Sequence, residues 1–410
     1  MTSTVAVEDR AAVLASTRAT KMARSAFAYV RGSTRSFYEW LAASPVASRI
    51  PDGPPVWICG DCHIGNLGPV ADADGHVDVQ IRDLDQTVIG NPAHDLIRLA
   101  LSLETAARGA DLPGVMTARM IEAMIEGYAL ALADPDDRKG APEPQAVRTV
   151  REYAMGRRWR HLARERIDGR DTQITLGRKF WPLSARERTA IETLFARATI
   201  RRATLRLFGH ERHGRLRMID AAYWRKGCSS LGTLRYAVLV EVYGSKAGAK
   251  GGHLALIDIK QAVRSVVPAA TGAAMPRNRA ERVVAGARAL SPNLGDRMIA
   301  ARLLGTPVVL RELMPQDLKL EVDQFSRHEA VEAARYLAFV VGVAHGQQMD
   351  TPTRAHWRAE LQHGHDGALD APSWLWEAVV DLAARHEAGY LDFCRTYALG
   401  ADGEAASTSD

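Results

Sequence analysis

A chain of 410 residues, 47% of them hydrophobic, can bury a substantial core and divide into two lobes. The formal charge is only +5, from 53 Lys and Arg against 48 Asp and Glu with the signs interleaved, which makes nucleic acid an unlikely main partner. No apolar run is long enough to span a bilayer, residues 1–10 lack a signal-peptide core, and four cysteines are too few for a disulfide framework; a cytoplasmic protein is expected.

Residues 11–43 carry Phe27, Tyr29, Phe37, Tyr38 and Trp40 at amphipathic spacing among Ala and Arg, and read as helix. A strand-like run at 56–59 then leads into Gly60-Asp61-Cys62-His63-Ile64-Gly65-Asn66, and a second run, 77–81, ends in Arg82-Asp83-Leu84-Asp85. Phosphoryl transfer asks for this set of groups: a carboxylate to orient or deprotonate the attacking hydroxyl, and an amide and a carboxylate to hold Mg2+. Asp61 is the expected catalytic carboxylate and His63 the residue bracing its loop. Asn66 and Asp83 are the expected metal ligands, and Asp85 is either a further ligand or a structural acceptor. Cys59 and Cys62 make a C-x-x-C beside His63, but no second C-x-x-C completes a zinc site and no thioredoxin-like surround favours redox chemistry. They read as a small strand residue and a spacer.

Arginines crowd Arg157–Arg166 and again Arg201–Arg217, and read as solvated helical faces, with an anionic substrate or nucleic acid as the alternative. Residues 223–262 have a different texture. Gly227, Ser229, Ser230 and Gly232 form a small-residue turn whose backbone N–H groups can approach phosphates closely. An alternating strand, a loop of Gly, Lys and Ala, and a second strand ending in Lys260 follow. Lys260 is the expected phosphate-binding lysine; a strand-end lysine pointing into water is the alternative. Residues 275–290 are a helix candidate carrying Glu281, 306–313 a strand, 328–345 a long helix, and 400–410 a small polar tail expected to be disordered.

The phrase G-D-x-H-x-x-N at Gly60, Asp61, His63 and Asn66, followed by Asp83 and Asp85, resembles the catalytic loop and metal-binding strand of aminoglycoside-phosphotransferase-like and choline-kinase-like enzymes, members of the protein-kinase-like fold. The segment Gly90-Asn91-Pro92 to Asp95-Leu96 resembles the stretch by which those kinases enter the first large helix of the C-lobe, with Asp95 in a supporting role. The resemblance implies an α+β, two-lobed fold with ATP and Mg2+ as cofactors, the turn at 227–232 over the phosphates, and Glu281 (or Glu312) as ion-pair partner of Lys260. Because the catalytic loop comes before the glycine turn and lysine strand, it also implies circular permutation. The expected division is a C-lobe part at 1–215, an antiparallel-sheet N-lobe at 216–318, hinge and remaining C-lobe helices at 319–399, and the tail. The expected acceptor is a hydroxyl of a small molecule. Protein-directed AMP or phosphoryl transfer, and a non-catalytic nucleotide- or RNA-binding role, are the alternatives.

The whole chain is also similar to a bacterial domain-of-unknown-function family, number 2252. The likeness rests on Lys21, Met22, Ser25, Phe27, Arg31 and Gly32, on the loop at 59–66, and on Ser230, Gly232, Arg235 and Tyr236. That family's common N-D-F-D-E stands here as Arg82-Asp83-Leu84-Asp85-Gln86, with both aspartates kept. No role can be assigned to Arg31 from sequence.

Overall fold

Alternating β-branched and aromatic residues over Arg235–Tyr243 and His253–Gln261 suit strands buried on both faces, and these two runs pair antiparallel at the centre of a six-stranded sheet. The computed structural model describes residues 5–134, 141–168, 173–208, 214–228, 230–243, 252–320, 327–361 and 370–407. The fold is α+β with antiparallel sheets, the class expected from sequence. From edge to edge the main sheet runs Met298–Leu303, Thr306–Glu312, His253–Gln261, Arg235–Tyr243, Arg215–Trp224 and Phe180–Trp181. The last strand comes from a part of the chain assigned to the helical lobe. It is held there by stacking: Phe180 lies on Trp224 and Trp181 on Tyr223, with ring centroids 5.5 and 5.9 Å apart. One sheet face buries Tyr236, Val238 and Ile257 against Ile191 and Leu194 of helix Ala185–Ala196. The other buries Leu239 and Leu256 with Leu162 and Trp224.

The rest of the core is helical. Helices Ala93–Gly109, Gly114–Ala131 and Arg327–Gly346 contribute Leu96, Leu99, Met124, Tyr128, Leu337 and Val341 to one continuous cluster. Two glycines set how closely the last two helices approach. A Cβ on Gly127 would stand 2.0 Å from the Arg335 carbonyl oxygen, and one on Gly342 would stand 2.9 Å from that of Tyr128. Backbone cannot yield there as a flexible side chain could. Gly127→Ala is therefore expected to destabilise the protein by about 1–3 kcal/mol despite alanine's better helix propensity. Urea denaturation checks this, and an unchanged midpoint would mean that the helices part at little cost.

The first helical stretch is three helices, Arg10–Ala23, Ala26–Val30 and Thr34–Ala42. Ser25 starts the second by accepting the Ala28 N–H, and Gly32 lets the next turn pass close to the Met22 thioether. The last helix runs Ser373–Ser407, its end rich in alanine, and extending a formed helix needs no new nucleus. Residues 408–410 lie outside the described residues, as do Ser229, Arg212, the loop at 244–251 and 321–326 of the expected hinge region. Among the described residues no helix is long and apolar enough to cross a membrane.

Candidate functional site

Strand Val56–Ile58 pairs with Val88–Gly90, and the chain leaves it through Gly60, whose φ of 74° favours glycine. The loop that follows is tied down from behind. Asp95, fully buried in the first turn of helix Ala93–Gly109, accepts the N–H groups of Cys59 at 2.7 Å and Gly60 at 2.8 Å. His345 Nε2 lies 3.2 Å from the same carboxylate, its Nδ1 2.9 Å from the Tyr128 hydroxyl, and Trp357 donates to that hydroxyl at 3.2 Å. A buried polar chain thus joins the closely packed helix pair to the loop, and Asp95 supports it as expected.

Asp61 faces a cleft, but its Oδ1 is taken by Arg98, whose Nε and a terminal nitrogen donate at 3.1 and 2.9 Å. Arg98 is completely buried and also donates to the Val30 carbonyl. The ring of His63 lies 3.8 Å from the other Asp61 oxygen. Burial pushes its pKa down to about 4, so it is neutral. Asn66 donates its amide N–H to the Asp61 carbonyl at 2.9 Å. The two thiols are buried and free; the contact with Cys62 and burial push Cys59 well up, leaving it unreactive.

The second part of the site joins residues 177 positions apart. Hairpin Leu67–Ala71 with Val77–Ile81 delivers Asp83 and Asp85 to the end of strand His253–Gln261. There Lys260 Nζ donates to both Asp83 oxygens, at 3.1 and 2.9 Å, and contacts the Asp85 carboxylate. Burial opposes the charge on Asp83, but Lys260 outweighs it and holds the carboxyl well below the usual range. Burial and then the Asp83 charge push Asp85 up to about 6. Lys260, disfavoured by burial, is held above its ordinary value by the two carboxylates.

Above them lies a cleft of about 130 Å³, which shares Asp83, Asp85, Arg82, Arg235 and Arg311 as wall residues with a smaller hollow at Lys260. Asp61, His63 and Asn66 line it from the loop side, and Gly227 and Ser230 from the glycine turn. Gly227 has φ 95°, and a Cβ there would strike the Ser230 hydroxyl, which donates to the Lys226 carbonyl and so closes the turn. Gly232, φ 96°, shapes the turn without lining the cleft.

Glu281 is the residue the structure corrects. It is exposed in the first turn of helix Arg279–Leu290, where Asn278 contacts it, while Lys260 is held by Asp83 and Asp85. The next residue, Arg282, turns inward and donates to the Asp85 carbonyl at 2.7 Å. Glu312 is not the partner either; burial pushes its pKa up to about 7, and Arg297 is its nearest opposing charge.

Several residues of the cleft were given no chemical role from sequence. Arg235 pairs with buried Asp258 at 3.0 Å beside Lys260, Arg311 pairs with Asp317, and Lys226 lies 4.3 Å over the Trp224 ring. Arg31, without a role from sequence, lines the cleft. For Arg98 the available signal is its spacing, three residues after Asp95 on a helix that faces the loop.

The fold and site define an α+β protein with a charged cleft between a helical body and an antiparallel sheet. Residues 10–396 match the family described as "Uncharacterized protein conserved in bacteria (DUF2252)", and the chain belongs to it. Comparison with curated proteins and with solved structures gave no match.

Proposed function

We propose that the protein is a cytoplasmic, nucleotide- and Mg2+-dependent phosphotransferase acting on a hydroxyl of a small molecule, on a circularly permuted kinase-like arrangement. The observation that carries this reading is the meeting of Lys260, Asp83 and Asp85 beside Asp61, Asn66 and the Gly227 turn, from distant parts of the chain. Two carboxylates that already share one cation, with an amide nearby, form the hard oxygen set that suits Mg2+, so Asn66, Asp83 and Asp85 would hold it. When bound, the ion would neutralise charge on the transferred phosphoryl group.

The chain's own residues supply the rest. Lys260 and Arg235 give this region the positive charge that a polyphosphate needs, and the Gly227 turn lets backbone approach it. Arg98 holds Asp61 Oδ1 through two hydrogen bonds and so fixes where its carboxylate points. That suits a loose transition state, in which positioning matters more than proton abstraction. Asp61 would orient the acceptor hydroxyl. The acceptor oxygen forms a bond to the γ-phosphorus as the bond to the bridging oxygen breaks, the diphosphate leaves with that electron pair, and the hydroxyl proton passes to Asp61 and on to water.

Incubation with ATP labelled at the γ- or the α-phosphate, with fractions of small molecules from a bacterial extract, tests this. Transfer of the γ-label alone is expected; transfer of the α-label to protein would replace the reading with AMP transfer.

A further inference from the structure

Beyond Lys226 and Gly227, which it shares with the cleft, lies a second hollow of about 630 Å³ with no acidic residue in its wall. Helix Arg10–Ala23 gives it the hydroxyls of Ser16, Thr17 and Thr20, together with Lys21 and, just past the helix end, Arg24. Facing them are Arg178 and Lys179, before strand Phe180–Trp181, and Arg225 and Lys226, at the end of strand Arg215–Trp224. Arg166, from the first arginine cluster, completes the wall over the Trp224 ring at 5.1 Å.

Seven basic side chains thus converge, and among the described residues only Arg166 has a carboxylate within 4.0 Å, that of Glu165. One terminal nitrogen of Arg166 is buried with no hydrogen-bond partner. Arg225 turns to the Thr17 hydroxyl and Lys21 to the Gly227 carbonyl, which are neutral acceptors. Burial and then the Arg235 charge hold Lys226 far below its ordinary value. Like charges that outnumber the carboxylates beside them favour a multiply charged anion, and guanidinium groups favour phosphate.

We propose that this groove binds a phosphate-bearing small molecule beside the cleft, so that the acceptor of the phosphotransferase is itself a polyanion. The acceptor half rests on the function proposed above; the anion site rests on the groove alone. A nucleic-acid surface fits less well, because single strands are held by exposed rings, and the one ring here, Trp224, is 4% exposed beneath Lys226 and Arg166.

Calorimetry with inositol hexakisphosphate and with a ten-nucleotide RNA tests the proposal on the wild type, on Arg24→Gln/Arg178→Gln/Lys179→Gln and on Lys260→Ala. The three groove residues are exposed and outside the cleft, so the fold and ATP affinity should persist in the triple variant. The inositol phosphate is expected to bind wild type and Lys260→Ala alike and to lose about tenfold in the triple variant. Equal affinity in the triple variant, or a matching loss in Lys260→Ala, would overturn the site. RNA binding more tightly than the inositol phosphate, and losing affinity in the triple variant, would make it a nucleic-acid face instead. The expected inositol phosphate pattern in a protein that binds no ATP would keep the groove and overturn the acceptor assignment.

Discussion

Asp83→Asn is expected to lower Mg2+-dependent turnover by about a thousandfold while leaving the fold intact, because a charge holding the metal is lost without a change of shape. Asp83 is partly exposed, 40% at the side chain, and Lys260 retains Asp85 as its partner, so no buried charge is stranded. A second effect follows from the pairing. Asp85 sits at about 6 through burial and the Asp83 charge, so with asparagine in place it should titrate at lower pH. In the wild type its folded value lies above the roughly 3.9 of an unfolded chain. The folded state therefore binds the extra proton, and this group's contribution to stability falls as pH rises from about 4 to about 6. Turnover assays with NMR titration of the Asp85 carboxyl check both effects. Near-normal turnover would remove Asp83 from the metal site, and an unmoved titration would remove it as a cause of the Asp85 shift.

Arg98→Ala is expected to destabilise the protein by about 3–5 kcal/mol, because it strands the Asp61 carboxylate, which is only 11% exposed, without its partner. It also frees the Val30 carbonyl that Arg98 caps. Asp61→Asn added to Arg98→Ala should recover part of the loss, since a neutral amide is less costly to bury than a lone charge. Urea denaturation of both single variants and the double variant measures this coupling. Additive losses would mean that Asp61 and Arg98 do not depend on each other, and that Arg98 acts only as packing beneath Phe37, whose ring it covers at 4.8 Å.

The loop at 60–66 and the aspartates at 83 and 85 were legible because they lie within one hairpin, where local spacing determines neighbourhood. The strands around Lys260 were legible from alternation and the turn residues between them. What escaped was set by packing between distant segments. Arg235 and Asp258 lie in two different strands, and only the register brings them together as a pair. Glu281 failed for a related reason. One residue along a helix is a rotation of about 100°, so inward-facing Arg282 and outward-facing Glu281 cannot be told apart until the helix is docked. The short strand Phe180–Trp181 was missed because two residues carry no periodicity, only two rings that stack once the sheet exists.

The central claim is that the sheet and the loop enclose a nucleotide. Calorimetry with ATP and Mg2+ on wild type, Lys260→Ala and Asp61→Asn tests it most directly. The expected result is binding by wild type at millimolar concentration or tighter, a loss of about tenfold in Lys260→Ala, and nearly unchanged affinity in Asp61→Asn, whose amide oxygen can still accept from buried Arg98. A wild-type protein that binds neither adenine nor guanine nucleotides at millimolar concentration would contradict it.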